Sequence, residues 1–220
     1  MQFIRTDNEK EGVAAMAEKI AGELARGRVL WLICGGSNIP YAKAALDIIR
    51  AKTGEHIKNL TVGQTDERFG DVGHKDSNWR QLIDAGCNFD SVQTLPILRG
   101  TSLQETVSEY AKTAEDAFAQ NRYVAAQFGI GADGHVAGML PHTGGIEAQE
   151  LVFGYEAAPF VRITITPPAF SAIHGAYTFA FGESKKDAVH KLRSEELSPA
   201  DEPCQLLKQI PESYFYSDQL

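Results

Sequence analysis

His135 closes a glycine-rich run, Gly129-Ile130-Gly131-Ala132-Asp133-Gly134-His135, directly behind the apolar stretch Tyr123–Phe128. A histidine on such a turn can move protons near neutral pH. Three glycines within six residues let the backbone take positive φ and approach a ligand closely. Asp133 adds a carboxylate that can orient His135, orient a water, or only fix the turn. Gly35-Gly36-Ser37 lies between an apolar strand and a helix whose first turn holds Pro40, where free backbone N–H groups favour an anion. It is neither a Walker A loop nor a dinucleotide fingerprint, and a tight turn that needs small residues explains it equally well. Asp66-Glu67-Arg68 follows the strand Leu60–Val62, with Asp76-Ser77-Asn78 ten residues further on; alone, this reads first as a solvated surface cluster. Arg162 alternates with Val161 and Ile163 in a strand, so its guanidinium needs an anion, from a ligand or from the protein. Lys185 follows Gly182-Glu183-Ser184 behind another strand, with Lys186 as the solvated alternative. His56, His74, His142, His174 and His190 share no ligand spacing, so no metal site is expected, and His142 reads as loop. No serine sits in a G-x-S-x-G elbow.

The order of elements says how these residues meet. Asp7 or Asn8 can cap a first helix with Val13, Met16, Ile20 and Leu24 on one face, ending near Gly27. Strands are expected at Val29–Cys34, Leu60–Val62, Val92–Leu95, Tyr123–Phe128, Val161–Ile165, Tyr177–Phe181 and Tyr214–Tyr216. Ser102 and Glu105 form a capping box before a helix whose inner face carries Leu103, Val107, Tyr110, Ala114 and Phe118. A further helix spans about Ser184–Arg193. Strands alternating with helices predict an α/β fold: a doubly wound, mainly parallel, Rossmann-like sheet with helices on both faces, as one domain over 1–220. Residues 141–158, with Gly144-Gly145 and few periodic signals, read as the loosest loop.

Composition narrows the function. The net charge is −8 with pI near 5.3, and no Lys/Arg cluster stands out, which argues against nucleic-acid and anionic-membrane partners. An anionic small substrate must therefore be held by a few placed cations. Cys34, Cys87 and Cys204 are odd in number and far apart, as reduced thiols in a reducing compartment would be. The first residues lack a signal-peptide core and no apolar run is long enough to span a bilayer, so a cytoplasmic location is expected.

Taken in order, these segments resemble the 6-phosphogluconolactonase and glucosamine-6-phosphate isomerase superfamily over nearly the whole chain. Gly35-Gly36-Ser37 is similar to its phosphate loop, and Asp66-Glu67-Arg68 with Ser77-Asn78 to its D-E-R…S-N signature. The run Gly129–His135 with Leu140-Pro141 resembles G-x-G-x-D-G-H…F-P, Arg162–Thr166 resembles R-x-T-x-T, and Gly182–Lys185 resembles G-x-x-K. Within the family the lactonase branch is the closer. The deaminases carry a relay glutamate where Leu140 stands, and a tyrosine where Arg68 stands. Three features depart from the lactonase pattern: Gly138-Met139-Leu140 in place of S-L-F, no valine-proline after Arg68, and one extra residue before Pro40.

The resemblance implies hydrolysis of a phosphorylated sugar lactone without a cofactor. His135 would be the general base on water, Arg68 would stabilise charge on the carbonyl oxygen, and Gly35, Gly36, Ser37, Arg162 and Lys185 would hold the phosphate. Asp133 and Asp66 would assist. Two other readings belong beside it: an amino-sugar-phosphate isomerase or deaminase with Asp66 as the base, and a sugar-phosphate-binding regulator without catalysis. Oligomeric state is not legible.

Overall fold

The computed structural model describes residues 1–220. In chain order the elements are β1 (Gln2–Arg5), α1 (Glu9–Leu24), β2 (Val29–Ile33), α2 (Ile39–Thr53), β3 (Leu60–Gln64), β4 (Asp66–Arg68), α3 (Asn78–Asp84), β5 (Gln93–Thr94), α4 (Leu103–Gln120), β6 (Tyr123–Phe128), β7 (Val152–Ala157), β8 (Phe160–Ile165), α5 (Pro167–Ala172), β9 (Gly175–Phe179), α6 (Lys186–Ser194) and β10 (Glu212–Ser217). Asn8 caps α1 by accepting from the Lys10 amide. Ser102 and Glu105 close a full capping box on α4.

Seven strands form one sheet in the order β1-β10-β9-β6-β2-β3-β5, every neighbouring pair parallel. Its central strands are buried on both faces, which is why β2 reads Val-Leu-Trp-Leu-Ile without a polar break. Trp31 and Ile33 pack under Met16 and Ile20 of α1 and Leu46 and Ile49 of α2. Leu30 and Leu32 face the other side, with Phe170 of α5 and Val189 and Leu192 of α6. Burying each such side chain is worth about 1.5–3 kcal/mol. The chain winds outward from β2 to β3 and β5, then returns to lay β6 on the other flank of β2. The switch in winding direction therefore falls between β2 and β6, where open α/β sheets bind ligands at the carboxyl edge.

The structure departs from the expected layout in four places. Phe160–Ile165 is a strand, but it does not join the parallel sheet: β4, β8 and β7 make a separate three-stranded antiparallel sheet. Residues 141–158 are not one loose loop, since β7 occupies Val152–Ala157 and forms a hairpin with β8. The N-terminal residues Gln2–Arg5 form an edge strand that apolar periodicity does not announce, being only four residues long. Residues 183–185 are a 3-10 turn, and α6 begins one residue later. No helix is long and apolar enough to cross a membrane.

Candidate active site

Because the strands of the main sheet are parallel, the segments following β2, β3, β6 and β9 all emerge at one edge. One cleft there is lined by Gly35, Gly36 and Ser37, by Asp66 and Arg68, by His135, and by Arg162 and Lys185. Asp133 does not line it.

The segment after β2 is shaped by its neighbours. A Cβ on Gly35 would lie 1.9 Å from Asn78 Oδ1, so the backbone can pass Asn78 only without a side chain. Gly36 has φ +66°, a left-handed conformation suited to glycine, and its Cβ position faces open space. Gly36–Asn38 form a 3-10 turn leading into α2, with Pro40 in the first turn of that helix. The turn's amides thus sit at the positive end of a fifteen-residue helix.

Asp66-Glu67-Arg68 is not a solvated cluster. Its centre, Glu67, is fully buried and forms no ion pair. Its carboxylate instead accepts from Gln64 Nε2 at 2.9 Å, the Arg68 amide at 2.7 Å, Ser77 Oγ at 2.9 Å, and the amides of Asn78 and Trp79 at 2.6 and 3.0 Å. Two of these donors are the free N–H groups that begin α3, so Glu67 ties that helix to β4. Asn78 then donates to the Asp66 carbonyl at 3.0 Å and to its carboxylate at 3.2 Å. This lock gives the pairing of D-E-R with S-N a physical basis.

His135 is held from behind. Its Nδ1 lies 2.6 Å from Asp133 Oδ1, and its backbone amide donates to the same oxygen at 3.3 Å. That hydrogen bond draws the Asp133 carboxyl down to a pKa of about 2, against partial burial that acts in the opposite direction. An ionised carboxylate can only accept, so Nδ1 carries the proton and Nε2 is the free ring nitrogen. Residues 137–140 behind the histidine are fastened to the second sheet. Thr164 Oγ1 donates to the Ala137 carbonyl, Tyr155 Oη donates to the Gly138 carbonyl at 2.6 Å, and the Leu140 amide donates to Tyr155 Oη at 3.1 Å. Burial raises the Tyr155 pKa, which keeps its phenol a donor. On the far side, the Cys204 amide donates to the Gly134 carbonyl at 2.9 Å.

The cations of the cleft form no ion pair with a carboxylate of the protein. Arg68 and Arg162 are direct partners across the β4–β8 ladder, and neither has a carboxylate within ion-pair distance. Arg68 donates to the Asp76 carbonyl at 3.0 Å, and the Nε atoms of both arginines are buried without a partner. Lys185 is likewise free of a carboxylate, whereas Lys186 is held at the surface by Glu183 at 3.0 Å. Three unneutralised cations in a chain of net charge −8 make the cleft a local anion site.

Asn38, Cys34 and Tyr155 were not legible as parts of this site, and Asn78 was legible only as part of a motif, without a role. Asn78 carried the strongest hint, as half of a serine-asparagine pair; the other three carried no signal. Cys34 is an inert thiol, its pKa pushed up by burial and then by the Asp66 charge. His142 is exposed, 3.8 Å from Asp201, outside the cleft. No three His, Cys, Asp or Glu residues converge closely enough to hold a metal ion.

A family model described as glucosamine-6-phosphate isomerases/6-phosphogluconolactonase matches residues 6–215. A 6-phosphogluconolactonase of Streptomyces coelicolor is 28% identical over 210 residues, covering 84% of this chain and 80% of that one. The crystal structure of a 6-phosphogluconolactonase from Shewanella baltica superposes with a TM-score of 0.82 at 18% identity, over 98% of this chain and 97% of that one. A monomeric glucosamine-6-phosphate deaminase gives 0.80 at 16% identity, over 100% and 98%. At such identities the two structures establish the fold alone.

Proposed function

We propose that this chain, which belongs to the glucosamine-6-phosphate isomerase/6-phosphogluconolactonase family, is a lactone hydrolase that opens a phosphorylated sugar lactone, converting 6-phosphogluconolactone to 6-phosphogluconate. One observation carries the reading: a histidine backed by an ionised carboxylate shares a cleft with three cations that no protein carboxylate neutralises. Lactonase relatives agree with it.

A δ-lactone needs little activation. His135 Nε2 takes a proton from water as the oxygen attacks the lactone carbonyl, and Asp133 stabilises the resulting imidazolium. Arg68 stabilises the negative charge that develops on the carbonyl oxygen. As the tetrahedral intermediate collapses, the bond to the ring oxygen breaks and His135 returns the proton to that oxygen. The amides of Gly35, Gly36 and Ser37, with Arg162 and Lys185, hold the phosphate, and binding there orients the carbonyl. Asp66, held by Asn78 and Thr65, borders the reacting end.

Asp66 also favours a second reading. A carboxylate lining the cleft is what an aldose–ketose isomerase or deaminase would use as its base. Against this, the position of that branch's relay glutamate is the apolar Leu140. Parallel assays with 6-phosphogluconolactone and glucosamine 6-phosphate separate the two. Lactone opening above the spontaneous rate without ammonia release is expected. Ammonia release without lactone acceleration would favour the deaminase, and neither activity with phosphosugar binding intact would favour a regulator.

A further inference from the structure

Phe160 stands where it touches both cleft arginines. It precedes Arg162 by two residues on β8, so the two side chains share one face of the strand. Arg68 lies directly opposite Arg162 on β4, which puts Phe160 on the diagonal from it. The Arg68 guanidinium carbon is 5.3 Å from the ring centroid and that of Arg162 is 5.5 Å away. Both distances lie within the range of a cation–π contact.

Like charges directly opposite on a ladder repel, and proteins usually quiet such a pair with a carboxylate. Here there is none. A carboxylate would hold the arginines but would also cancel the charge an anion needs. An aromatic face attracts a guanidinium through its quadrupole and leaves the net charge in place.

We infer that Phe160 is a positioning residue, a shared aromatic platform that holds Arg68 and Arg162 side by side in the cleft without neutralising them. It fixes the pair before an anion arrives, so less binding energy is lost in drawing the two guanidinium groups together. This rests on the reading of the cleft as an anion site, and the experiment keeps the two apart.

The test replaces Phe160 with phenylalanines of increasing fluorination, up to the pentafluoro ring, by incorporation of non-natural amino acids. Shape and apolar surface stay nearly constant while the quadrupole is progressively removed. Calorimetric titration of each full-length protein with 6-phosphogluconate and with inorganic phosphate gives the Kd. Affinity should weaken stepwise along the series, by about three- to tenfold at the pentafluoro ring, and Phe160→Leu should weaken it at least as much. A flat series would overturn the platform: if Arg162→Ala still weakens binding of both ligands and Arg68→Ala that of 6-phosphogluconate, whose carboxylate takes the place of the reacting carbonyl, Phe160 merely fills space beside a genuine anion site. If those two variants bind both ligands as the wild type does, the anion reading itself falls and the platform with it.

Discussion

Asp133 Oδ1 lies 2.6 Å from His135 Nδ1, and the two residues are only two positions apart on the same turn. A Cβ on Gly131 would come within 2.0 Å of that Nδ1 and 2.2 Å of that Oδ1, so the pair closes only over a glycine. The carboxylate fixes which ring nitrogen bears the proton, and with it which nitrogen meets the cleft.

Replacing Asp133 with Asn therefore alters the tautomer more than the fold. Steady-state assays of Asp133→Asn should show kcat reduced by ~10²–10⁴ with KM little changed, as expected when an orienting group of a general base is lost. Wild-type kcat in this variant would leave Asp133 with no role beyond the turn.

The same pair predicts an acid limb in the stability curve. The Asp133 pKa falls from an ordinary 3.8 to about 2 in the folded protein. A depressed carboxylate pKa means that the stabilisation is fully present above the unfolded value, and is lost as pH falls from near 4 through 2. Denaturant titrations across this range should show a component of the decline that Asp133→Asn lacks. Its size is small, because the Asp133 side chain is 53% exposed.

The anchoring cations should act on binding. Lys185→Ala or Arg162→Ala should raise KM with kcat nearly unchanged, each losing a charged hydrogen bond worth ~1.5–3 kcal/mol. A fall in kcat at constant KM would move that residue from anchor to reacting centre.

How far the sequence could carry this site follows from how each residue is supplied. Gly35–Ser37, Arg68, His135 and Lys185 each follow a strand of a parallel sheet, whose geometry sends all carboxyl ends to one edge; recognising the strands was enough to gather them. Arg162 came by a different route. Its strand alternates apolar and polar residues, the mark of a sheet with one face buried, whereas β2 is an unbroken apolar run. That contrast could have separated the two sheets. β4 is three polar residues and β7 is interrupted by Gly154, so neither showed strand periodicity, and the Arg68–Arg162 pairing was hidden with them. The Asp133–His135 bond depends on turn conformation, which glycine spacing permits but does not dictate.

Glu67 should be costly to remove although it is not a lining residue of the cleft. Glu67→Ala leaves Gln64, Ser77 and three backbone amides without their shared acceptor in a buried place. With ~1–3 kcal/mol for each donor left unpaired and some relaxation, denaturant unfolding should show a loss of at least ~3 kcal/mol. A loss under ~1 kcal/mol would mean that the lock between β4 and α3 is not what holds Asp66 and Arg68 in place.

A carboxylate at position 140 should not convert the chemistry. The Leu140 amide is bound to Tyr155, and Arg68, not a tyrosine, stands beside Asp66. Leu140→Glu should accordingly release no ammonia from glucosamine 6-phosphate, measured by coupled glutamate dehydrogenase assay; measurable turnover would show that one side chain separates the two activities.

The most direct measurement compares wild-type protein and His135→Ala, matched by circular dichroism, for 6-phosphogluconolactone opening at neutral pH after subtraction of the spontaneous rate. The wild type should accelerate the reaction, and His135→Ala should lower kcat by ~10²–10⁴ with KM roughly unchanged. Equal acceleration by the two proteins, or none by the wild type, would contradict a lactonase in which His135 is the base.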